Sequence, residues 1–144
     1  MATITCTVKL EFNTPKSKVW AALTKPEIVK QYFFGTTLIT DWKVGSKILW
    51  KGEWDGKTYE DKGTVLAFNP ETSLKYNYFS SFSGLPDMPE NYQPITYLLK
   101  ESNGRTELTI IQENCRTEEL RAHSESNWKS VMDGMKKLVE EKSN

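Results

Sequence analysis

The segment Asn13-Thr14-Pro15-Lys16-Ser17-Lys18-Val19-Trp20-Ala21-Ala22-Leu23-Thr24-Lys25-Pro26-Glu27 carries two prolines directly after an alternating strand. Proline lacks an amide N–H and has a fixed φ, so it suits the first turn of a helix and breaks its interior. Two short helices in succession are the simplest reading. Thr14 is placed to cap the first, with Pro15 at its first position, and Val19, Trp20 and Leu23 form its apolar stripe. Pro26 opens the second, with Glu27 where the helix dipole favours an acid. Ile28, Val29, Tyr32 and Phe33 give it a buried side before Gly35 ends it. With Lys25 before Pro26, any side-chain cap on this helix must come from Thr24.

The flanks of this segment constrain the rest. Before it, Ile4, Cys6, Val8, Leu10 and Phe12 alternate with Thr3, Thr5, Thr7, Lys9 and Glu11. That is an antiparallel strand with one wet face. After it, strands are expected over 36–43, 46–54 and 59–68, with Asp55-Gly56 as a hairpin turn. Leu74, Tyr76 and Tyr78 alternate on the next strand. Further strands run over 95–101 and 106–113 around a turn at Asn103-Gly104. Residues 83–94 hold three prolines and a glycine, which excludes regular structure.

From Thr117 the period becomes helical, with Leu120, Ser124, Asn127/Trp128, Val131, Met135 and Leu138 on one stripe. Thr117 is a suitable cap for this helix. Some 25 residues at about 1.5 Å each span nearly 38 Å, long enough to cross a sheet. The expected fold is therefore α+β: a curved antiparallel sheet of about seven strands gripping a long carboxy-terminal helix, with two short helices between strands 1 and 2. Residues 1–144 read as one domain, which suits the length.

Charge excludes some functions. Lysine plus arginine and aspartate plus glutamate both number 19, so the basic excess of a general nucleic-acid binder is missing. No apolar run approaches the roughly 20 residues of a membrane span, and the start lacks the pattern of a secretory signal. A cytoplasmic protein is expected. Cys6 and Cys115 form no metal or CxxC spacing and are expected as plain thiols.

Catalytic signals are sparse. The single histidine, His123, lies among polar neighbours just off the helix stripe, as a surface or rim residue would. Glu53, Asp55, Glu60 and Asp61 flank one hairpin; an acid/base pair among them is one reading, and solvated hairpin charges are the ordinary one. Gly134 suggests close packing of the long helix on the sheet. No catalytic residue, metal site or cofactor is expected.

The aromatics carry more information. Among five tryptophans, six tyrosines and six phenylalanines, Trp50, Trp54, Tyr76, Tyr78 and Tyr97 alternate on strands that share a face, opposite Trp128. Buried tyrosine and tryptophan need a polar partner. Either an aromatic core without a void or a pocket with an apolar wall and a few polar points satisfies this pattern.

The pattern Pro15-x-x-x-Val19-Trp20-x-Ala22-Leu23-Thr24-x-Pro26-Glu27 resembles the start of the helix-grip superfamily, which includes lipid-transfer START domains, polyketide cyclases and birch-pollen-type allergens. The likeness is greatest to the group related to the carboxy-terminal domain of the activator of heat-shock-protein ATPase. Supporting matches are Asp41-Trp42-x-x-Gly45, Gly84-Leu85-Pro86-Asp87-x-Pro89-Glu90-Asn91-Tyr92, Thr106-x-Leu108-Thr109, Glu113-Asn114 and Asn127-Trp128-x-x-Val131-x-Asp133-Gly134-x-Lys136-x-Leu138.

The resemblance implies a cavity between sheet and helix that takes a small apolar or amphipathic molecule. Phe33, Trp50, Trp54, Tyr76, Tyr78, Tyr97, Trp128 and Met135 are its expected lining. Leu85, Met88 and Tyr92 are expected in a loop at its mouth, beside the second short helix. The resemblance alone also suggests a heat-shock chaperone as partner, in a co-chaperone-like role that stimulates its ATPase. An enzyme of cyclase, dehydratase or hydrolase type would need a polar cluster around Tyr76, Tyr97 or His123. A monomer or weak homodimer is expected.

Overall fold

The computed structural model describes residues 4–33, 35–54, 56–80 and 84–141, with the side chains of Trp54 and Glu141 outside the described set. Strand β1 (Cys6–Phe12) is followed by helices α1 (Lys16–Thr24) and α2 (Pro26–Tyr32). Six strands come next: β2 (Thr37–Ile39), β3 (Lys47–Trp54), β4 (Lys57–Asn69), β5 (Ser73–Phe79), β6 (Gln93–Ser102) and β7 (Arg105–Gln112). Helix α3 (Glu118–Glu141) closes the chain, after a short 3₁₀ turn at Pro89–Asn91 between β5 and β6. Among the described residues no helix is long and apolar enough to cross a membrane.

The strands form one antiparallel sheet in the order β1-β7-β6-β5-β4-β3-β2. Strands β2 to β7 follow one another as a meander, so β1 and β2 are neighbours in sequence and opposite edges in space. The α1–α2 segment makes that crossing, which explains why two helices are needed there. Register carries the alternation of β1 across the sheet: Val8 faces Ile110 and Leu10 faces Leu108. A bulge between Val65 and Ala67 bends the long β4 strand. Helix α3, 24 residues and about 36 Å long, lies over the inner face.

Several local expectations change. Helix α1 begins at Lys16, with Pro15 in the cap position and no side-chain cap bond. Thr14 is buried and accepts a bond at its carbonyl from Thr106 Oγ1 (2.8 Å), while its own hydroxyl has no partner. Thr24 does not cap α2; its Oγ1 donates back to the carbonyl of Trp20 (2.8 Å) within α1. Thr117 does cap α3, accepting from the Leu120 amide at 3.1 Å. The strand expected over 36–43 shrinks to Thr37–Ile39. Trp42 adopts φ 59°, and its amide donates to Thr40 Oγ1 (3.1 Å), turning the chain away from the sheet.

The α3 stripe is buried only from Trp128 onward, through Trp128, Val131, Met132, Met135 and Val139. Leu120, expected on that stripe, is 47% exposed. Gly134 faces α2 rather than the sheet: a Cβ there would meet Tyr32 Cβ at 3.7 Å, an ordinary contact. The first half of α3 thus stands over an unfilled end of the sheet.

Candidate functional site

Between the inner face of the sheet, the first half of α3 and helix α2 lies a cavity of about 490 Å³. Its floor is a chain of touching rings. Tyr78 meets Trp50 edge-on (centroids 5.2 Å), Trp50 meets Tyr76 (5.4 Å), Tyr76 meets Tyr97 (5.5 Å) and Tyr97 meets Trp128 at 89° (6.1 Å). Strand alternation puts these rings on one face, because the register sets Val65 opposite Tyr76, Gly63 opposite Tyr78 and Leu74 opposite Tyr97. Helix α2 and the chain after it contribute Val29, Tyr32, Phe33, Thr36 and Leu38 as a side wall. At the rim stand Leu85, Asn91, Arg116, Leu120, His123, Ser124 and Asn127. The exposure of Arg116, Leu120, His123 and Asn127 marks where the cavity opens.

Polar groups enter this wall in pairs. The hydroxyls of Tyr76 and Tyr97 share a hydrogen bond of 2.7 Å. Tyr78 donates to Asp61 Oδ2 (2.5 Å), and Tyr59 is hydrogen-bonded to Thr36 Oγ1. Trp128 Nε1 donates to Gln112 Oε1 (2.7 Å), and Gln112 Nε2 donates on to Gln93 Oε1 (3.0 Å). Tyr32 donates to the carbonyl of Ala22 (2.8 Å). Each bond satisfies a group that burial would otherwise penalise.

Burial also sets the protonation chemistry. It pushes the phenol of Tyr97 up to about 12, against a lowering by the Tyr76 bond. Burial raises Tyr32 and Tyr76 well above the usual phenol range, with a further push from Tyr97. Tyr78 is raised by burial and then by the charge of Asp61. These phenols are hydrogen-bond donors at neutral pH rather than bases. Burial likewise raises the thiol of Cys115, which reaches the cavity wall, so it stays protonated and a poor nucleophile.

Of the residues singled out from sequence, Phe33, Trp50, Tyr76, Tyr78, Tyr97, Trp128 and Leu85 line the cavity. The side chain of Trp54 lies outside the described residues. Met135 does not reach the lining: it is completely buried in the core cluster under the second half of α3. Met88 is 44% exposed and does not line the cavity. Tyr92 also turns outward, because its hydroxyl donates to Asp87 (2.5 Å) and its ring stacks on Phe79 (5.1 Å).

Sequence reasoning passed over Asp61, Tyr59, Gln93 and Gln112. From sequence, Asp61 reads as a solvated hairpin charge. It is 7% exposed, in phase with buried Gly63 and Val65 on β4, and directly opposite Trp50 on β3. That phase was the available signal. Its hairpin companions Glu53 and Glu60 face solvent, and Asp55 lies outside the described residues.

The mouth loop is held rather than loose. Asn114 Nδ2 donates to the carbonyls of Glu90 (3.0 Å) and Tyr92 (3.1 Å), Arg116 is bonded to Asn91 Oδ1, and Lys62 pairs with Asp87. Asn114 and Arg116 both have positive φ, 61° and 71°, on either side of Cys115. This uncommon backbone turns Cys115 inward while its neighbours reach the loop.

A curved antiparallel sheet around a long carboxy-terminal helix, with two short helices closing the crossing from edge to edge, is the helix-grip fold. The chain belongs to the family of activator of Hsp90 ATPase homolog 1-like proteins, whose model matches residues 13–140. A protein from Cytophaga hutchinsonii, known by its solution structure, is 48% identical over 99% of both chains, with a TM-score of 0.87. The Aha1 dimer from Colwellia psychrerythraea is 17% identical over 94% of this chain and 96% of that one, with a TM-score of 0.74. Ara h 8.0201 is 13% identical over 99% of this chain and all of its own (100%), with a TM-score of 0.75. These last two share the fold alone. No curated protein matches the chain.

Proposed function

We propose that the protein is a binding module for a small apolar or amphipathic molecule, held between the sheet and α3. The observation that carries this reading is a cavity of about 490 Å³ with a continuous aromatic floor and hydrogen-bonded polar groups in its wall, within the size range of small-molecule sites. Phe33, Trp50, Tyr76, Tyr78, Tyr97 and Trp128 supply the apolar contact, and the rim from Leu85 to Leu120 supplies the way in. A ligand screen by native mass spectrometry, followed by amide chemical-shift mapping, tests it. The expected result is one-to-one binding with shifts clustered on β4, β5, β6 and the first half of α3. Absence of any bound species across a broad apolar library, or shifts confined to the outer face of the sheet, would overturn it.

Family membership supports a second reading, a co-chaperone-like role on a heat-shock ATPase. An ATPase assay with the cognate chaperone tests this. Stimulation that saturates with added protein supports it; no change at large excess removes it.

A further inference from the structure

We infer that the cavity selects ligands carrying a protonated amine, held by Asp61 between the rings of Trp50 and Tyr78. The inference rests on the reading of the cavity as a small-molecule site. Asp61 is the one buried carboxylate among the described residues, and it lies in the cavity wall. It stands directly across from Trp50 in the β3–β4 register, and the Tyr78 hydroxyl donates to its Oδ2 at 2.5 Å. The Trp50 and Tyr78 rings are themselves in edge contact, with centroids 5.2 Å apart. A cationic group in contact with Asp61 therefore sits beside two aromatic rings, whose faces attract cations within roughly 6 Å.

The three charge classes of ligand differ sharply at this position. A neutral apolar body that fills the cavity brings no opposite charge to a carboxylate in the wall, so it gains nothing from Asp61. An anion adds like-charge repulsion where low polarity strengthens it. A cation supplies the opposite charge to a buried carboxylate. The basic side chains in the lining, Arg116 and His123, are both exposed at the rim. Water screens the Arg116 charge there, and its guanidinium is already bonded to Asn91. The buried carboxylate, rather than the basic rim side chains, sets the preference.

Three probes with one apolar body separate the cases: 1-naphthylmethylamine (cationic), 1-naphthalenemethanol (neutral) and 1-naphthoate (anionic), each titrated into the full chain by calorimetry. The wild-type protein is expected to bind the amine at least about tenfold more tightly than the alcohol, and the acid most weakly. Asp61→Asn is expected to bring the amine-to-alcohol ratio close to one. An amine that binds no better than the alcohol, an acid that binds best, or a preference that survives Asp61→Asn would each overturn the inference. The wild-type comparison needs no variant, so an unstable Asp61→Asn leaves the test intact. If none of the three binds, the amine preference is overturned, while the small-molecule reading of the cavity is decided separately by the library screen. If the alcohol binds and the amine gains nothing, only the charge preference fails.

Discussion

The carbonyl oxygen of Asn77 occupies the space where a side chain at position 63 would begin: a Cβ on Gly63 would lie 1.8 Å from it. The obstacle is backbone, held in the β4–β5 ladder, where Thr64 pairs with Asn77 and the Thr64 amide donates to Asn77 Oδ1 at 2.6 Å. Relief requires the two strands to part beneath Tyr78. Gly63→Ala is expected to destabilise the fold by about 2–3 kcal/mol, at the upper end for an overpacked core. Urea unfolding measures it; a loss under about 0.5 kcal/mol, the range of neutral surface changes, would contradict the geometry.

Gly52 offers a contrast on β3. A Cβ there would meet the far end of the Tyr59 ring, with Tyr59 Oη at 2.5 Å, so a movable side chain rather than backbone stands in the way. Gly52→Ala is expected to cost under about 1 kcal/mol while displacing the Tyr59 ring from Thr36. Near-UV circular dichroism and the Thr36 amide shift report that displacement. A stability loss equal to that of Gly63→Ala would show that the ring cannot move.

Asn114 combines a positive φ with two hydrogen bonds to the mouth loop. Replacing it separates these roles. Asn114→Gly keeps the backbone and loses the bonds, whereas Asn114→Ala loses both. Hydrogen exchange over residues 84–92 is expected to quicken in both variants. Stability should fall further in Asn114→Ala, by about 1 kcal/mol. Unchanged exchange in the loop would mean that Lys62 and Arg116 hold it without Asn114.

Trp128 holds the buried Gln112 carbonyl through its indole N–H. Trp128→Phe keeps much of the ring and leaves that acceptor without its donor, at a cost of about 1–3 kcal/mol. In a double-mutant cycle with Gln112→Leu the two losses should be less than additive, because the second change removes the stranded acceptor. Additive losses would count against the bond.

Alkaline pH should unfold the protein through its buried tyrosines. In the unfolded chain phenols ionise near about 10. In the fold Tyr97 holds its proton to about 12, and Tyr32, Tyr76 and Tyr78 are raised as well. Between those limits the unfolded state binds fewer protons, so stability is whole below pH 10 and falls as pH rises through the folded values. Tyrosinate absorbance should show a late step that coincides with loss of near-UV circular dichroism. Full ionisation near pH 10 with the fold intact would refute the burial of these phenols.

Elements governed by local chemistry could be read directly. The alternation of β1, the helix starts near Pro15 and Pro26, the turns at Gly56 and Asn103-Gly104, and the α3 period each depend on residues close in sequence. So does the shared face of Trp50, Tyr76, Tyr78 and Tyr97, because a period of two fixes the phase within each strand. Asp61, Gln93 and Gln112 were harder: a polar residue in an inward phase looks like a bulge or a solvated position until its cross-strand neighbour is known.

By itself, then, the sequence determined a sheet-and-helix vessel with an aromatic inner face and a double-helix closure at Pro15 and Pro26. Only the tertiary structure decided what the vessel encloses. It lifted Leu120 and the first half of α3 off the sheet, sent Met135 into the core, turned Tyr92 outward to Asp87 and brought Asp61 in beside Trp50. The physical reason is range. Periodicity assigns a side chain to a face, but whether that face is filled or open depends on contacts between residues far apart in sequence.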